Sequence, residues 1–167
     1  DGDAINIYSL GFIIISFISL ILLVLVVLFN DYFTKLLNND EIGLWLYFIP
    51  LTVFFTGLYN ILNYYNNRKK QYTDLAKATI IKSIVLAAVQ LSIGFIKSGV
   101  TGLISGQIIS QLFANSKLLL NIIKDKVLLS KISSVKIISL AKKYKNFPKY
   151  DAPSSLSNTI ALHLPSL

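Results

Sequence analysis

Lys82, Gln90, Gln107, Gln111 and Asn115 are the residues whose types and spacing could do chemistry, and that chemistry is recognition of a polar, anionic solute rather than bond-making. Gln107, Gln111 and Asn115 recur every four residues and form one stripe on a helix. Beside them Ser98, Gly102, Gly106, Ser110 and Ala114 form a small-residue stripe containing a Gly-xxx-Gly unit, along which helix backbones approach closely. A helix with both stripes is packed on one side; its amides either line a polar cavity or bond to neighbouring helices. Thr52, Thr56 and Asn60 repeat the spacing upstream, followed by Asn63. Threonine hydroxyls can bond to their own helix carbonyls, so Asn60 is the stronger signal of the three. Lys82 is the one charge well inside an apolar stretch, about 9 Å along its helix. A lysine at the bilayer centre costs roughly 2.5 to 3.5 kcal/mol, so either its long stem snorkels to the interface or it faces a water-filled cavity and offers its charge to an anion. Gln90, about 80° round the helix, could share that cavity wall, whereas Lys77, about 140° away, is not in the same patch.

Bond-making chemistry has little to draw on. The chain has no cysteine and a single histidine, which removes thiolate chemistry and leaves imidazole metal clusters and Ser-His-Asp catalysis unsupported. There is no Gly-rich phosphate loop, no paired intramembrane carboxylate and no metal-ligand spacing. The expectation is therefore no enzyme, no catalytic residue, no metal and no cofactor. His163, alone in an apolar context, reads as a packed or hydrogen-bonded imidazole rather than a proton relay.

The elements that must hold these residues are membrane helices. Of 167 residues 54% are hydrophobic and only 14% charged, with a mean hydropathy of +0.63, where roughly 25% charged is usual for a soluble domain. Between Asp3 and Asp31 lie 27 uncharged residues, and residues 10–29 are apolar apart from Gly11, Ser16 and Ser19. Twenty helical residues rise about 30 Å, the thickness of the hydrocarbon core. A second span covers residues 42–67, with Trp45 and Tyr47 at one end and Tyr59, Tyr64 and Tyr65 at the other, and Pro50 in its first turns to start or kink it. A third covers 76–96 and a fourth 101–123, separated only by Lys97, Ser98 and Gly99, so these two pair antiparallel. In the basic stretch 124–149, Ile132, Val135, Ile138, Ala141 and Tyr144 recur at helical spacing and predict a short amphipathic helix on the membrane surface. After Pro153, residues 154–167 read as the start of a fifth span.

The fold class is thus all-α, an integral membrane helix bundle of four complete transmembrane helices plus the start of a fifth. The basic segments around Arg68, Lys69 and Lys70 and over 124–149 fall on one side, which the positive-inside rule makes cytoplasmic, and the loop of Asp31, Asp40 and Glu41 on the other. The net charge of +8 is mostly this topogenic lysine, with no basic groove interleaved with stacking aromatics for nucleic acid. The lipid bilayer is the first partner. Opening at Asp1 without methionine and stopping at Leu167 in an apolar run, the chain reads as an internal piece of a longer protein.

Tyr144, Phe147, Pro148, Tyr150, Pro153, Leu156 and Asn158, followed by Pro165, resemble the opening of the second half of Wzx-type polysaccharide flippases, in the superfamily that also holds multidrug and toxin extrusion transporters. The upstream order is similar too: helix, acidic outer loop, helix, basic loop with Asn66, Arg68 and Tyr72, then a tight helix pair and a long basic inner loop. The resemblance implies the third to seventh helices of a two-lobed transporter. Residues 1–123 are then the four-helix region of the N-terminal lobe, 124–150 a basic cytoplasmic loop with an amphipathic helix, and 151–167 the start of the C-terminal lobe. It further implies translocation of an undecaprenyl-pyrophosphate-linked oligosaccharide across the inner membrane of a bacterium or archaeon by alternating access, for O-antigen, capsule or exopolysaccharide, with other polysaccharide-assembly membrane proteins as partners. Lys82 then suits the pyrophosphate, and Asn60, Gln90, Gln107, Gln111 and Asn115 the sugar hydroxyls. Leu162, His163 and Lys149 depart from the family's pattern, which leaves substrate choice open. The alternatives are a multidrug-type cation antiporter of the same superfamily, a membrane polymerase or glycosyltransferase of the same pathway, and a scaffold whose amides only join helices. The antiporter would want an intramembrane carboxylate and the enzyme charged residues in a large loop; the spans and short outer loops offer neither.

Overall fold

The computed structural model describes residues 2–36, 38, 41–96, 100–124, 130–146, 153–154, 157–158 and 161, and every regular element among them is a helix. The long apolar run becomes α1 (Gly2–Leu36), 35 residues without interruption, with Asp3 in its first turn and Lys35 in its last, each opposing the helix dipole. The second run starts as α2 (Glu41–Leu46) and continues as α3 (Phe48–Arg68). Pro50 has no N–H to give the Leu46 carbonyl, which interrupts the hydrogen-bond ladder between the two. Tyr47 nevertheless keeps helical angles (φ −64°, ψ −19°), so α2 and α3 run on as one 27-residue stretch, Ile42–Arg68.

A tight turn then reverses the chain. Gln71 N donates to Asn66 O (3.0 Å) and Lys70 N to Asn67 O (2.9 Å), a helix-ending pair of bonds that puts Lys70 in the left-handed region at φ 58°, where glycine is usual. α4 (Tyr72–Ile96) and α5 (Val100–Lys124) follow, then α6 (Ser134–Lys143). α1, Ile42–Arg68 and Tyr72–Phe95 are each long and apolar enough to cross a membrane. α5 matches α4 at 25 residues, but Gln107, Gln111, Asn115, Lys117 and Asn121 dilute its apolar character, so three described helices rather than four qualify on length and composition.

Across the bundle α1 packs on α3, α3 on α5 and α5 most extensively on α4, with a lighter contact between α3 and α4. Small residues set these approaches. Ile15 of α1 seats on Gly57 of α3, where a Cβ would stand 2.7 Å from Ile15 Cδ1. The shared core is drawn from Ile5, Leu58, Leu62, Ala78, Leu118 and Ile122, all near the end that carries the Arg68 turn and α6, called the basic end below. Elsewhere apolar side chains face outward: Phe17, Leu20 and Leu28 on α1 and Ile80, Ile84, Leu91 and Phe95 on α4 are exposed. So much apolar surface is untenable in water and suits lipid.

The amphipathic helix is shorter than the basic stretch that encodes it and presents a different residue inward. Leu140 is buried, Val135 and Ile138 are exposed, and Ile132 and Tyr144 fall outside the helix. Its start is clamped by fully buried Asn6 of α1, whose Oδ1 accepts from Ser133 N (2.8 Å) and whose Nδ2 donates to Lys131 O (3.1 Å). Lys97, Ser98, Gly99, Phe147, Pro148, Tyr150, Leu156 and His163 lie outside the described residues, while Pro153 and Asn158 are helical and exposed. The expected fifth span is described only at residues 154, 157, 158 and 161.

Candidate functional site

Three helices, α3, α4 and α5, bring the polar residues of the bundle onto their three mutual seams. The small stripe of α5 faces α4. Gly102, Gly106, Ser110 and Ala114 are all buried, a Cβ on Gly102 would lie 3.4 Å from the Gln90 carbonyl oxygen, and one on Gly106 only 2.6 Å from Gln90 Cγ. The half-buried Gln90 side chain therefore lies in the notch over Gly106. Glycine at both positions lets α4 and α5 approach as a close pair.

The amide stripe of α5 faces α3. Gln111 is fully buried and donates from Nε2 to Thr56 Oγ1 (2.8 Å), with the hydroxyl 3.1 Å from Gln111 Oε1. One turn on, Asn115 donates from Nδ2 to the Phe55 carbonyl (3.0 Å), and its buried Oδ1 has no partner among the described residues. Thr52 bonds to its own helix at Phe48 O (2.9 Å), whereas Thr56 is drawn across to α5. Gln111 and Asn115 thus direct their amide hydrogens at α3. Gln107 is half-buried and Asn60 exposed.

On the α3–α4 seam, Lys82 Nζ stands 4.5 Å from the centre of the Tyr59 ring. Such a contact stabilises a partly desolvated cation by about 0.5–2 kcal/mol. Tyr59 also pairs its hydroxyl with Thr79 Oγ1 (3.2 Å), one turn before Lys82 on α4. Among the described residues no carboxylate reaches Lys82. The six residues therefore divide rather than converge: Gln90 lies on the α4–α5 seam, Gln111 and Asn115 on the α3–α5 seam, Lys82 on the α3–α4 seam, Gln107 half-buried on α5, and Asn60 at the surface.

The basic end holds a network that residue spacing did not reveal. Asn121 Nδ2 donates to both Asn66 Oδ1 (2.9 Å) and Asp74 Oδ2 (3.1 Å), and Lys117 Nζ lies 3.3 Å from Asp74 Oδ1. Buried Asn66 in turn donates to Leu62 O (2.8 Å). Asp74 sits in the first turn of α4, two residues before the third span expected from hydropathy, so the carboxylate absent from that reading is present at its edge. Its only sequence signal is its place in the first turn of a helix, which the dipole favours. Among the described residues no group of three or more His, Cys, Asp or Glu is placed to hold a metal ion.

Among the described residues two crevices lie between α1 and α3. One of about 310 Å³ lies between α1 and α3 at the basic end, lined by Tyr8, Gly11, Ile61, Tyr64 and Arg68 among others. The other, about 440 Å³, lies between the same helices near Pro50, where Ser19 Oγ donates to Pro50 O (2.8 Å). Neither is lined by Lys82, Gln107 or Gln111.

The sequence profile of a family described as "Polysaccharide biosynthesis protein" matches residues 4–156. Neither a curated protein nor a solved structure shows a significant match.

Proposed function

We propose that this chain, which belongs to the polysaccharide biosynthesis protein family, serves that pathway by flipping a lipid-linked oligosaccharide across the membrane rather than by forming glycosidic bonds. The observation that carries the reading is Lys82: a cation inside a membrane-spanning helix, resting on the Tyr59 ring with no carboxylate partner among the described residues. Ionisable residues at such depth mark substrate paths, and an unpartnered cation favours an anionic cargo, as the pyrophosphate of a polyprenyl carrier is. A cation antiporter would instead want an available intramembrane carboxylate. Asp74, at the edge of α4, is already engaged by Lys117 and Asn121.

The helix pairing suits alternating access. α4 and α5 form one close pair and α1 and α3 another, and the α3–α5 seam between them holds the side-chain bonds from Gln111 and Asn115. Rocking of one pair against the other exchanges those bonds for bonds to sugar hydroxyls or water, exposing Lys82, Asn60 and Gln107 to the cargo in turn. The lysine-rich ends then lie in the cytoplasm, where the carrier is loaded, and the membrane is the inner one.

Expressed in a strain deleted for its own flippase, the full-length protein restores surface polysaccharide, and Lys82→Gln lowers that restoration by roughly tenfold at equal membrane abundance. No restoration with any tested repeat unit, or full restoration by Lys82→Gln, removes the reading.

A further inference from the structure

We propose that the crevice between α1 and α3 at the basic end is a site for an anionic phospholipid of the bilayer, one acyl chain lying in the crevice and the phosphate on Arg68. The cavity is about 310 Å³, at the small end of the ligand-pocket range of about 300–1,000 Å³ and room for a segment of acyl chain; its lining, not its size, favours lipid over sugar. Its walls carry the chemistry of a lipid that enters sideways: Ile7, Gly11 and Ile61 are apolar, and Tyr8 and Tyr64 have an apolar body with a polar tip.

Gly11 fixes the shape of the crevice by letting α3 approach α1 closely. A Cβ there would stand 2.9 Å from Ile61 Cδ1, so Gly11 is where Ile61 seats on α1, and a larger side chain displaces Ile61, one of the crevice walls. Arg68 ends α3 and lines the crevice at its polar mouth, and a guanidinium is suited to bidentate pairing with phosphate. Lys70 follows in the same turn, so that turn carries positive charge, set against the one exposed carboxylate of the first turn of α1, Asp3. The α1 face around the crevice is exposed and apolar at Ile7, Phe12 and Ile14, continuous with the surface that lipid covers. Lys82 on the α3–α4 seam does not line this crevice, so the site is separate from the proposed cargo path.

Native mass spectrometry of the full chain in detergent micelles, supplied with phosphatidylglycerol, phosphatidylcholine or a polyprenyl phosphate, tests the assignment. Phosphatidylglycerol is expected to be retained over phosphatidylcholine. Retention should fall by roughly tenfold in Arg68→Gln, the loss of a charge-assisted hydrogen bond, and recover largely in Arg68→Lys. Gly11→Leu should lower it by displacing Ile61 and distorting the crevice wall. Arg68 is exposed and is not a member of the buried core, so its variants keep the proposal testable should Gly11→Leu fail to fold. Equal retention of the two phospholipids, indifference to Arg68→Gln, or stronger retention of the polyprenyl phosphate overturns the proposal. None of these results depends on whether the protein flips a glycan carrier.

Discussion

At the basic end four helices share a core and a polar network; at the other end they touch in pairs. Ile5, Leu58, Leu62, Ala78, Leu118 and Ile122 pack together near the Arg68 turn, beside the chain from Asn66 through Asn121 to Asp74 and Lys117. Toward the opposite end the side-chain contacts are local: Val26 is buried on α1, Ser19 bonds to Pro50 O, and Asn30 donates to Gly43 O (2.8 Å). The difference teaches where such a bundle can move. Lipid tails are as apolar as leucine, so helices inside a membrane are held by packing and by interhelical hydrogen bonds. An end with both acts as the fixed end, and an end with few can open. For a protein that exposes a path alternately to two sides, that asymmetry is a usable hinge.

The largest effect that would break the comparison is cavity formation. Leu62→Ala at the basic end should cost about 2 kcal/mol, the lower limit for leucine truncation, because lipid replaces the lost transfer term and only packing is forfeited. Val26→Ala at the opposite end should cost under about 1 kcal/mol on the same grounds. Both are read as shifts in unfolding by sodium dodecyl sulfate in mixed micelles. Equal costs mean that the two ends are packed alike and that the hinge is elsewhere.

The next effect sharpens the comparison by probing the middle. Gln111→Leu removes the bond to Thr56 and should cost about 1 kcal/mol, between the average of about 0.6 and the maximum of about 1.7 for interhelical hydrogen bonds in membranes. Thr56→Val should cost no more than Gln111→Leu, and the double variant should cost less than the sum of the singles, since both delete one bond. A strictly additive pair would show that the two side chains do not meet.

Much of this architecture is legible in the sequence, because uncharged runs of membrane length have few other uses and Pro50 announces an irregular helix start. The small-residue stripe was legible for a similar reason, since a four-residue repeat of Gly, Ser and Ala marks one face whatever the partner. Which partner each polar residue meets was not. Gln111 and Asn115 share a period with the small stripe, and only the crossing of α5 between α3 and α4 decides that the amides meet α3 and the glycines meet α4. Asn6 carries no periodic signal at all: besides the Gly2 carbonyl of its own helix, its partners are Lys131 and Ser133, some 125 residues on. For α6 the apolar period was readable, yet the residue turned inward is Leu140, because the clamp at Ser133 sets the rotation of the helix. The Asp74–Asn121–Asn66 network was hidden likewise, each member lying on a different helix.

The smallest effect is expected at the opposite end and asks most of the comparison. Asn30 donates from Nδ2 to the Gly43 carbonyl in a buried contact, and Gly43 sits so close that a Cβ would lie 2.8 Å from Thr34 Cγ2 and 2.9 Å from Asn30 Oδ1. The bond joins α1 to α2, segments already linked by a short connection, so its loss costs little chain entropy and leaves the α3–α5 seam untouched. Asn30→Ala should therefore cost about 0.6 kcal/mol, the average for a membrane hydrogen bond. Asn121→Ala, which removes bonds joining α5 to both α3 and α4, should cost distinctly more. If flipping requires the opposite end to open, Asn30→Ala should also leave restoration of surface polysaccharide intact or raise it, whereas Asn121→Ala should lower it. The reverse ranking in stability would place the fixed point of the bundle at the Asn30 contact and move the opening to the lysine-rich side.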